Sequence, residues 1–532
     1  MSIEDWFLTS EQRGNPDTGI DRRRGPGAWT ERNEVTPLAH GAEYFSRLHG
    51  ELRSLERGDL VWFLDWRGDG DERLAGPGTE LAPMLVEAID RGIDIRGLVW
   101  RSHPDQGKFS EQENLRLAER VNRAGGEVLP DARVRRFGSH HQKLVLIRRR
   151  GPAQDVGFVG GIDLCHGRHD DEAHEGDPQA IQINERYGPR PAWHDIQLRI
   201  VGPAVADLDT TFRERWDDPT PLDHRNPVRD RIRRMVREPL QASPLPKMPP
   251  DPPPSDARTT VQVLRTYPAK RPAYPFARRG ERSVARAYRK AFARARSLIY
   301  VEDQYLWSRE VAEALADALR ANPDLRLIAV VPRFPDRDGA ISGPLQRVGQ
   351  LRAMRTVAEA GGDRVLVCDL ENEQGRPIYV HAKCCIVDDV WMSVGSDNLN
   401  RRSWTHDSEL ACAVLDERRD DRAPLDPGGL GDRARVLPRS FRLQLWREHL
   451  GPAVPADQLL DPVSGFERWR RSAQDLDRWH TEGRRGSRPS GRVRIHRPRS
   501  VGLAQTWWAL PLYRLVIDPD GRPRSLRRSR SF

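Results

Sequence analysis

YVHAKCCIVDDVWMSVGSDNLNRRSWTHDSE, residues 379–409, opens with a histidine and a lysine separated by one residue, His381 and Lys383. The apolar run Cys384-Cys385-Ile386-Val387 beside them predicts a buried strand. Side chains two apart on a strand share a face, so an imidazole and an ammonium point the same way. Asp388 and Asp389 close the strand. A second apolar run, VWMSV, leads into Gly395-Ser396-Asp397-Asn398, a small-residue turn able to bring donors close to a ligand. This combination suits a phosphate ester: the lysine holds the negative oxygens while the histidine attacks or moves a proton.

The chain writes the same plan twice. Upstream stands SHHQKLVLI…GFVGGIDLC, with His141 and Lys143 on an apolar run and Gly160, Gly161 and Asp163 on the following turn. The flanking elements also repeat. LVWFLDW (60–66) is answered by LIYVEDQYLW (298–307), and IDIRGLVW (93–100) by LRLIAVVPRF (325–334). Helical periodicity predicts helices over 42–57, 80–91 and 111–124, then over 281–296, 310–321 and 346–360. Both third helices stop at a glycine pair, Gly125-Gly126 and Gly361-Gly362. Asp65 to His141 is 141 − 65 = 76 positions, and Asp303 to His381 is 381 − 303 = 78. Order and spacing kept together over such a length predict a duplicated α/β unit.

Around these halves the chain divides by composition. Residues 1–41 are a polar lead-in expected to hold little regular structure, 42–221 the first half, 222–258 a Pro-rich linker or surface excursion, 259–450 the second half, and 451–532 a basic tail. The tail carries Trp507-Trp508 and ends in SLRRSRSF. Basic residues around exposed aromatics suit an anionic membrane surface; a final strand or two packing on the body is the other reading.

With 87 Lys and Arg against 78 Asp and Glu, the net charge of +9 favours an anionic partner: nucleic acid, acidic lipid or phosphate ester. A general bias toward arginine explains the charge equally well. Five cysteines, an odd number with no CxxC pair and mostly within apolar runs, indicate packed thiols in a reduced compartment. The opening MSIEDWFLTSEQRGN has no basic start and no sustained apolar run. It therefore predicts no secretory signal and a cytoplasmic location, with room for peripheral association at the inner membrane face. No stretch approaches the length of a membrane span.

The paired HxK motifs, with GGIDLC after one and GSDNLNRRSW…DSE after the other, resemble the phospholipase D superfamily. PAWHDIQLRIVGP and YVEDQYLW resemble its eukaryotic-type phospholipase branch. The family pattern HxKxxxxD is complete in the second copy, through Asp388; the first has Arg148 in place of the aspartate. The resemblance implies two α/β/α units with mixed sheets flanked by helices, packed about a pseudo-twofold axis so that both histidines reach one phosphorus.

It further implies His141 as nucleophile, His381 as general acid, and Lys143 and Lys383 on the phosphoryl oxygens. Asp388 joins the catalytic list as the motif's aspartate, for which the resemblance implies a structural part rather than a reacting one. Gly160, Gly161, Asp163, Gly395, Ser396 and Asn398 are the expected phosphate-binding group. Each histidine needs an acceptor on its other nitrogen. Asp195 is assigned to His141 and Glu409 to His381, with Asp407 as the alternative for the second. Two lysines supply the charge that a metal would bring, so no metal or other cofactor is expected. The cluster His166, His169, Asp170, Asp171, Glu172 and His174 is spaced too irregularly for a ligand set and reads as a polar loop beside the site.

The expected activity is phospholipid hydrolysis, or transfer to an alcohol, releasing the head group at a membrane surface. The chain is expected to act as a monomer, with no nucleic-acid partner. The alternatives are a cardiolipin synthase-like phosphatidyltransferase, a nuclease of the same superfamily, and an inactive membrane-binding scaffold.

Overall fold

The computed structural model describes residues 2–25, 27–101, 111–151, 154–222, 242–336, 342–529 and 531–532. Its strands, in chain order, are β1 (Thr30–Ala39), β2 (Leu60–Asp65), β3 (Asp94–Trp100), β4 (Glu127–Asp131), β5 (Leu144–Arg148), β6 (Val156–Gly160), β7 (Ala192–His194), β8 (Ile196–Val201) and β9 (Thr259–Tyr267). There follow β10 (Glu281–Arg282), β11 (Leu298–Asp303), β12 (Arg326–Val330), β13 (Val365–Leu370), β14 (Ile378–Val380), β15 (Lys383–Val387), β16 (Trp391–Gly395), β17 (Glu409–Asp416) and β18 (Val493–Ile495). Sixteen of them form one sheet.

The first half runs β4-β3-β2-β5-β6-β8-β1 from its edge inward, and the second runs β13-β12-β11-β15-β16-β17-β9. The order is the same, and so is the sense of each pairing. The outer three strands are parallel, as in crossover units, and the inner four are antiparallel. The halves meet where β1 pairs antiparallel with β9. The duplication expected from the motifs is therefore a real pseudo-twofold arrangement with the axis at this seam.

Helices cover both faces. Ala204–Trp216 and Val436–Leu450 occupy matching places on one face, and their Trp216 and Trp446 enter a single core that runs beneath both halves. The opposite face has two separate cores, one under Gly41–Arg53, Leu81–Asp90 and Glu111–Arg123, the other under Ser283–Arg294, Arg309–Ala321 and part of Ser342–Gly361. A sheet buried on both faces needs near-continuous apolar strands, and LVWFL and CCIV are such runs.

The lead-in departs from expectation. Residues 30–39 form β1, one of the two strands at the centre of the sheet. Glu31, Arg32 and Asn33 break the apolar alternation at its start, and the strand is held by β8 and β9 on its two edges and by Val35, Leu38 and Ala39 in the cores. In the tail, Pro462–Thr481 adds Phe466 and Trp469 to the shared core, and β18 extends the sheet beyond β13. Residues 223–241 of the Pro-rich linker lie outside the described residues. Residues 242–258 lie along the first half, where the Ser243 carbonyl accepts from the Trp216 indole at 2.8 Å and the Pro250 carbonyl from Arg148 at 2.6 Å.

Candidate active site

Both histidines sit at breaks in the ladder rather than within strands. His381 follows β14, which pairs in parallel with β7 of the other half. His381 N–H donates to the His194 carbonyl at 2.8 Å. The matching contact in the first half is a parallel bridge between His140 and Ser408, where His141 N–H donates to the Ser408 carbonyl at 3.0 Å. Each half thus holds the other's histidine backbone.

The acids are exchanged in the same way. Asp195 Oδ2 lies 2.6 Å from His381 Nδ1, and Glu409 Oε2 lies 2.9 Å from His141 Nδ1. This corrects the expected pairing, which had assigned each acid to the histidine of its own half. Asp195 stands between β7 and β8 and Glu409 begins β17, and the pairing of β7 with β14 brings Asp195 to the opposite half. Asp407, the alternative acceptor, instead takes bonds from Ser139 N–H at 2.9 Å and Arg402 Nε at 2.7 Å. Both catalytic-type pairs fix the tautomer that leaves Nε2 free for chemistry.

The turns behind the acids are matched to their lengths. Gly161 packs on the short Asp195: a Cβ there would fall 2.1 Å from Oδ1. At the equivalent position Ser396 donates its hydroxyl to the longer Glu409 at 2.5 Å. Gly160 and Gly395 bring their strands against Ile196 and Ala411 in the same manner. These four residues position the acids, whereas Asn398 and Asp163 line the cavity itself.

Lys143 and Lys383 are buried, each with its amine on the carbonyl of its own histidine. Lys143 Nζ also lies 3.0 Å from Asp163 Oδ1. Burial works to raise the Asp163 carboxyl, but Lys143 and Arg168 outweigh it and hold the group well below the usual range. Asp163 is thus a partner for cations, not a donor to phosphate. Asp65, behind it, is pushed up by burial and by the Asp163 carboxylate. Burial lowers Lys383 to about 8, against the pull of Asp195. Burial, with Lys383 and Arg168, also pushes His381 well below the ordinary histidine value.

Asp388 takes no part in this arrangement. It sits at the far end of β15, where its carboxylate accepts from the N–H groups of Arg296, Ser297 and Leu298, each at 2.8 Å. It fastens the loop entering β11. Asp389 beside it is buried between Arg439 at 2.9 Å and Arg442 at 2.5 Å. In the first half Arg148 pairs with Asp155 at 3.1 Å, and the acid at that end is Asp59, which accepts from Arg150 N–H at 2.9 Å. The fastening is kept with its polarity reversed.

The two histidines share one cavity of about 1300 Å³. Aromatic groups line much of it, including Trp66, Trp193, Tyr305 and Tyr379. Trp193 lies against His381 with ring centroids 5.0 Å apart, and the Arg168 guanidinium stacks over the Trp193 ring, 4.0 Å from its centroid. Arg168 is a third buried cation beside the lysines. Sequence reasoning missed it because it lies in the irregular stretch 166–187, where no periodicity marks a buried face.

The same stretch sends His174 away from the site. His174 Nε2 is 3.0 Å from Glu448, whose other oxygen is 3.0 Å from His40 Nε2, and His194 stands beside them. His40, His174, His194 and Glu448 each offer a ligand atom within 4.8 Å of the others. Three imidazoles and a carboxylate are a donor set that suits a divalent transition ion, and His40 and His194 each leave Nδ1 without a hydrogen bond. Four widely separated segments supply the cluster, so spacing could not reveal it. His166 and His169 stay outside, near Asp71 and on the Phe45 ring.

A family model described as Phospholipase D matches residues 78–313 and 364–481. One described as Cardiolipin synthase, PLD-like domain matches residues 288–422. Phospholipase D alpha 2 of Oryza sativa subsp. japonica is 27% identical, over 74% of this chain and 61% of that protein. Phospholipase D alpha 1 of Arabidopsis thaliana gives the same identity and coverage, 27%, 74% and 61%. The chain thus spans about three fifths of the length of the curated relatives it matches. Among solved structures, phosphatidylserine synthase from Haemophilus influenzae Rd KW20 superposes with a TM-score of 0.48 at 15% identity, over 72% of this chain and 82% of that one.

Proposed function

From the premise that the chain belongs to the phospholipase D family, we propose that it is a phosphodiesterase that releases the head group of phospholipids through a phosphohistidine. The crossed pairs, His141 with Glu409 and His381 with Asp195 in one cavity, carry this reading. His141 Nε2 attacks phosphorus, forming a P–N bond as the P–O bond to the head group breaks. The leaving oxygen takes its proton from His381 Nε2. His381 then removes a proton from water, whose oxygen attacks phosphorus and displaces His141, giving phosphatidic acid. Lys143, Lys383 and Arg168 hold the non-bridging oxygens and stabilise the charge of the five-coordinate state.

Electrostatics ties proton uptake to binding. In the free protein His381 is held neutral by burial and by cations. An anionic diester among those cations offsets them, so His381 gains its proton as substrate arrives and is ready as the acid. A second reading, transfer of the phosphatidyl group to an alcohol, is favoured by the match over residues 288–422 to the cardiolipin synthase-type domain. It uses the same intermediate with another acceptor.

The test is head-group release from mixed phospholipid vesicles by wild type, His141→Ala and His381→Ala, with and without EDTA, and with a primary alcohol added. Release by wild type alone is the expected result, and a phosphatidyl-alcohol product identifies transfer. No release from any lipid, with DNA or RNA cleaved instead, would sink the phospholipid reading.

A further inference from the structure

The mouth of the cavity carries side chains that the phosphate chemistry does not use. Phe137, 46% exposed, forms part of its wall, and Val516, 43% exposed, forms another part. Arg402 joins them. Its guanidinium donates to the Phe137 carbonyl and, over 2.8 Å, to the Val516 carbonyl. On the same segment as Val516, Leu515 is 66% exposed, Leu512 42% and Trp507 85%.

This segment is anchored from behind. The helix Leu503–Leu512 and the wide turn Tyr513–Ile517 pack Ala509 and Tyr513 against Leu345 and Val348. Gly349 gives the Tyr513 ring its place, since a Cβ there would lie 2.4 Å from it. The Tyr513 hydroxyl donates to the Trp307 carbonyl at 2.7 Å. Asp518 beyond the turn takes Arg402 N–H at 2.8 Å, and its carbonyl takes Arg401 Nε at 3.0 Å. The bare face is therefore presented by a fixed base.

Single exposed apolar side chains are ordinary, but a tryptophan, two leucines and a valine on one anchored segment at a cavity mouth mark a contact surface. Cations accompany them. Arg136 is exposed with its guanidinium 5.0 Å from the Phe137 ring centroid, and Arg514 is exposed within the turn itself. Tryptophan with arginine suits the depth of lipid head groups, where the ring meets acyl chains and the guanidinium meets phosphate.

We propose that residues 505–517, with Phe137 across Arg402, form the surface that seats this protein on an anionic phospholipid bilayer, with the cavity mouth against the lipid. The proposal rests on the reading of the cavity as a phospholipid site, and adds how that substrate reaches it.

The experiment compares wild type, a Trp507→Ser and Leu515→Ser double variant, and Arg514→Glu. Cosedimentation is measured with phosphatidylcholine vesicles, with and without phosphatidylserine. Turnover of water-soluble bis(p-nitrophenyl) phosphate serves as the membrane-free control. All three positions face solvent, so unfolding temperatures are expected to match. The double variant is expected to lose vesicle affinity by about tenfold or more, as removal of interfacial apolar contacts implies. Arg514→Glu is expected to lose the preference for phosphatidylserine, and both keep wild-type turnover of the soluble diester. Unchanged vesicle affinity in both variants would overturn the proposal, as would a loss on the soluble diester equal to that on vesicles. Loss of vesicle affinity, in a protein whose wild type releases no head group from any lipid, would support the docking surface and overturn the phospholipase reading.

Discussion

Lys143 Nζ stands 3.0 Å from the Asp163 carboxylate, whereas the residue at that place on the second turn, after Lys383, is Asn398, a neutral amide. The two lysines of a near-symmetric site are thus unequal. Lys143 is matched by a local anion, while Lys383 is lowered to about 8 by burial. Substrate affinity is expected to weaken as pH rises through about 8, because Lys383 sheds its charge. Lys383→Arg is expected to abolish that trend, since guanidinium keeps its proton. KM measured from neutral to well above this pH checks it; a flat wild-type KM refutes the assignment.

His381 links acid to unfolding. In the unfolded chain an imidazole takes up its proton near the ordinary value of about 6.5; in the fold, burial with Lys383 and Arg168 delays uptake to lower pH. Between those values the unfolded state binds more protons, so stability is full above the ordinary value and falls as pH falls. His381→Gln is expected to flatten this slope. Urea midpoints of both proteins at neutral and mildly acidic pH measure it, and identical slopes would count against a neutral buried His381.

Gly161→Ala is expected to separate catalysis from stability. The new Cβ would meet Asp195 Oδ1 at 2.1 Å and push the carboxylate off His381. Loss of the orienting acceptor is expected to lower kcat by about 100-fold or more, the scale of general acid–base catalysis. Gly50→Ala, where nothing lies within 4 Å, is the control and is expected to be as stable or slightly more stable. Head-group release and thermal unfolding of both variants check the contrast.

Asp389→Ala is expected to damage the fold without touching the site. Asp389 is fully buried between Arg439 and Arg442, themselves fully buried. Its removal leaves Arg442 without a carboxylate and Arg439 with Asp420 alone, at 3.6 Å, at a cost of about 3–5 kcal/mol. Equilibrium unfolding reads this directly, and a loss below about 1 kcal/mol would contradict it.

The duplicated motifs made the architecture legible, because side-chain chemistry and apolar strands repeated in one register. His141, His381 and Glu409 line the cavity that register implies, with Asp195 bonded to His381 and the buried Lys143 and Lys383 on the carbonyls of their own histidines. What sequence could not show was which half faces which. The exchange of Asp195 and Glu409 follows from β7 pairing with β14 across the two halves, a contact between segments 186 positions apart. Strand β1 was hidden by Glu31, Arg32 and Asn33, which break the apolar pattern ahead of its buried Val35, Leu38 and Ala39. Arg168 and the His40–His174–His194–Glu448 cluster come from irregular or scattered segments, where no period exists to be read.

The exchange of acids also makes this protein its own safety catch. The first half leaves the ribosome with an imidazole that lacks its Glu409, and with an Asp195 that has no imidazole to orient. Under the proposed chemistry, neither histidine of a half-made or half-folded chain would have the acid that orients it. Each half would supply the other's missing acid only when the two dock, so the capacity to cut would double as proof that the whole molecule has been assembled.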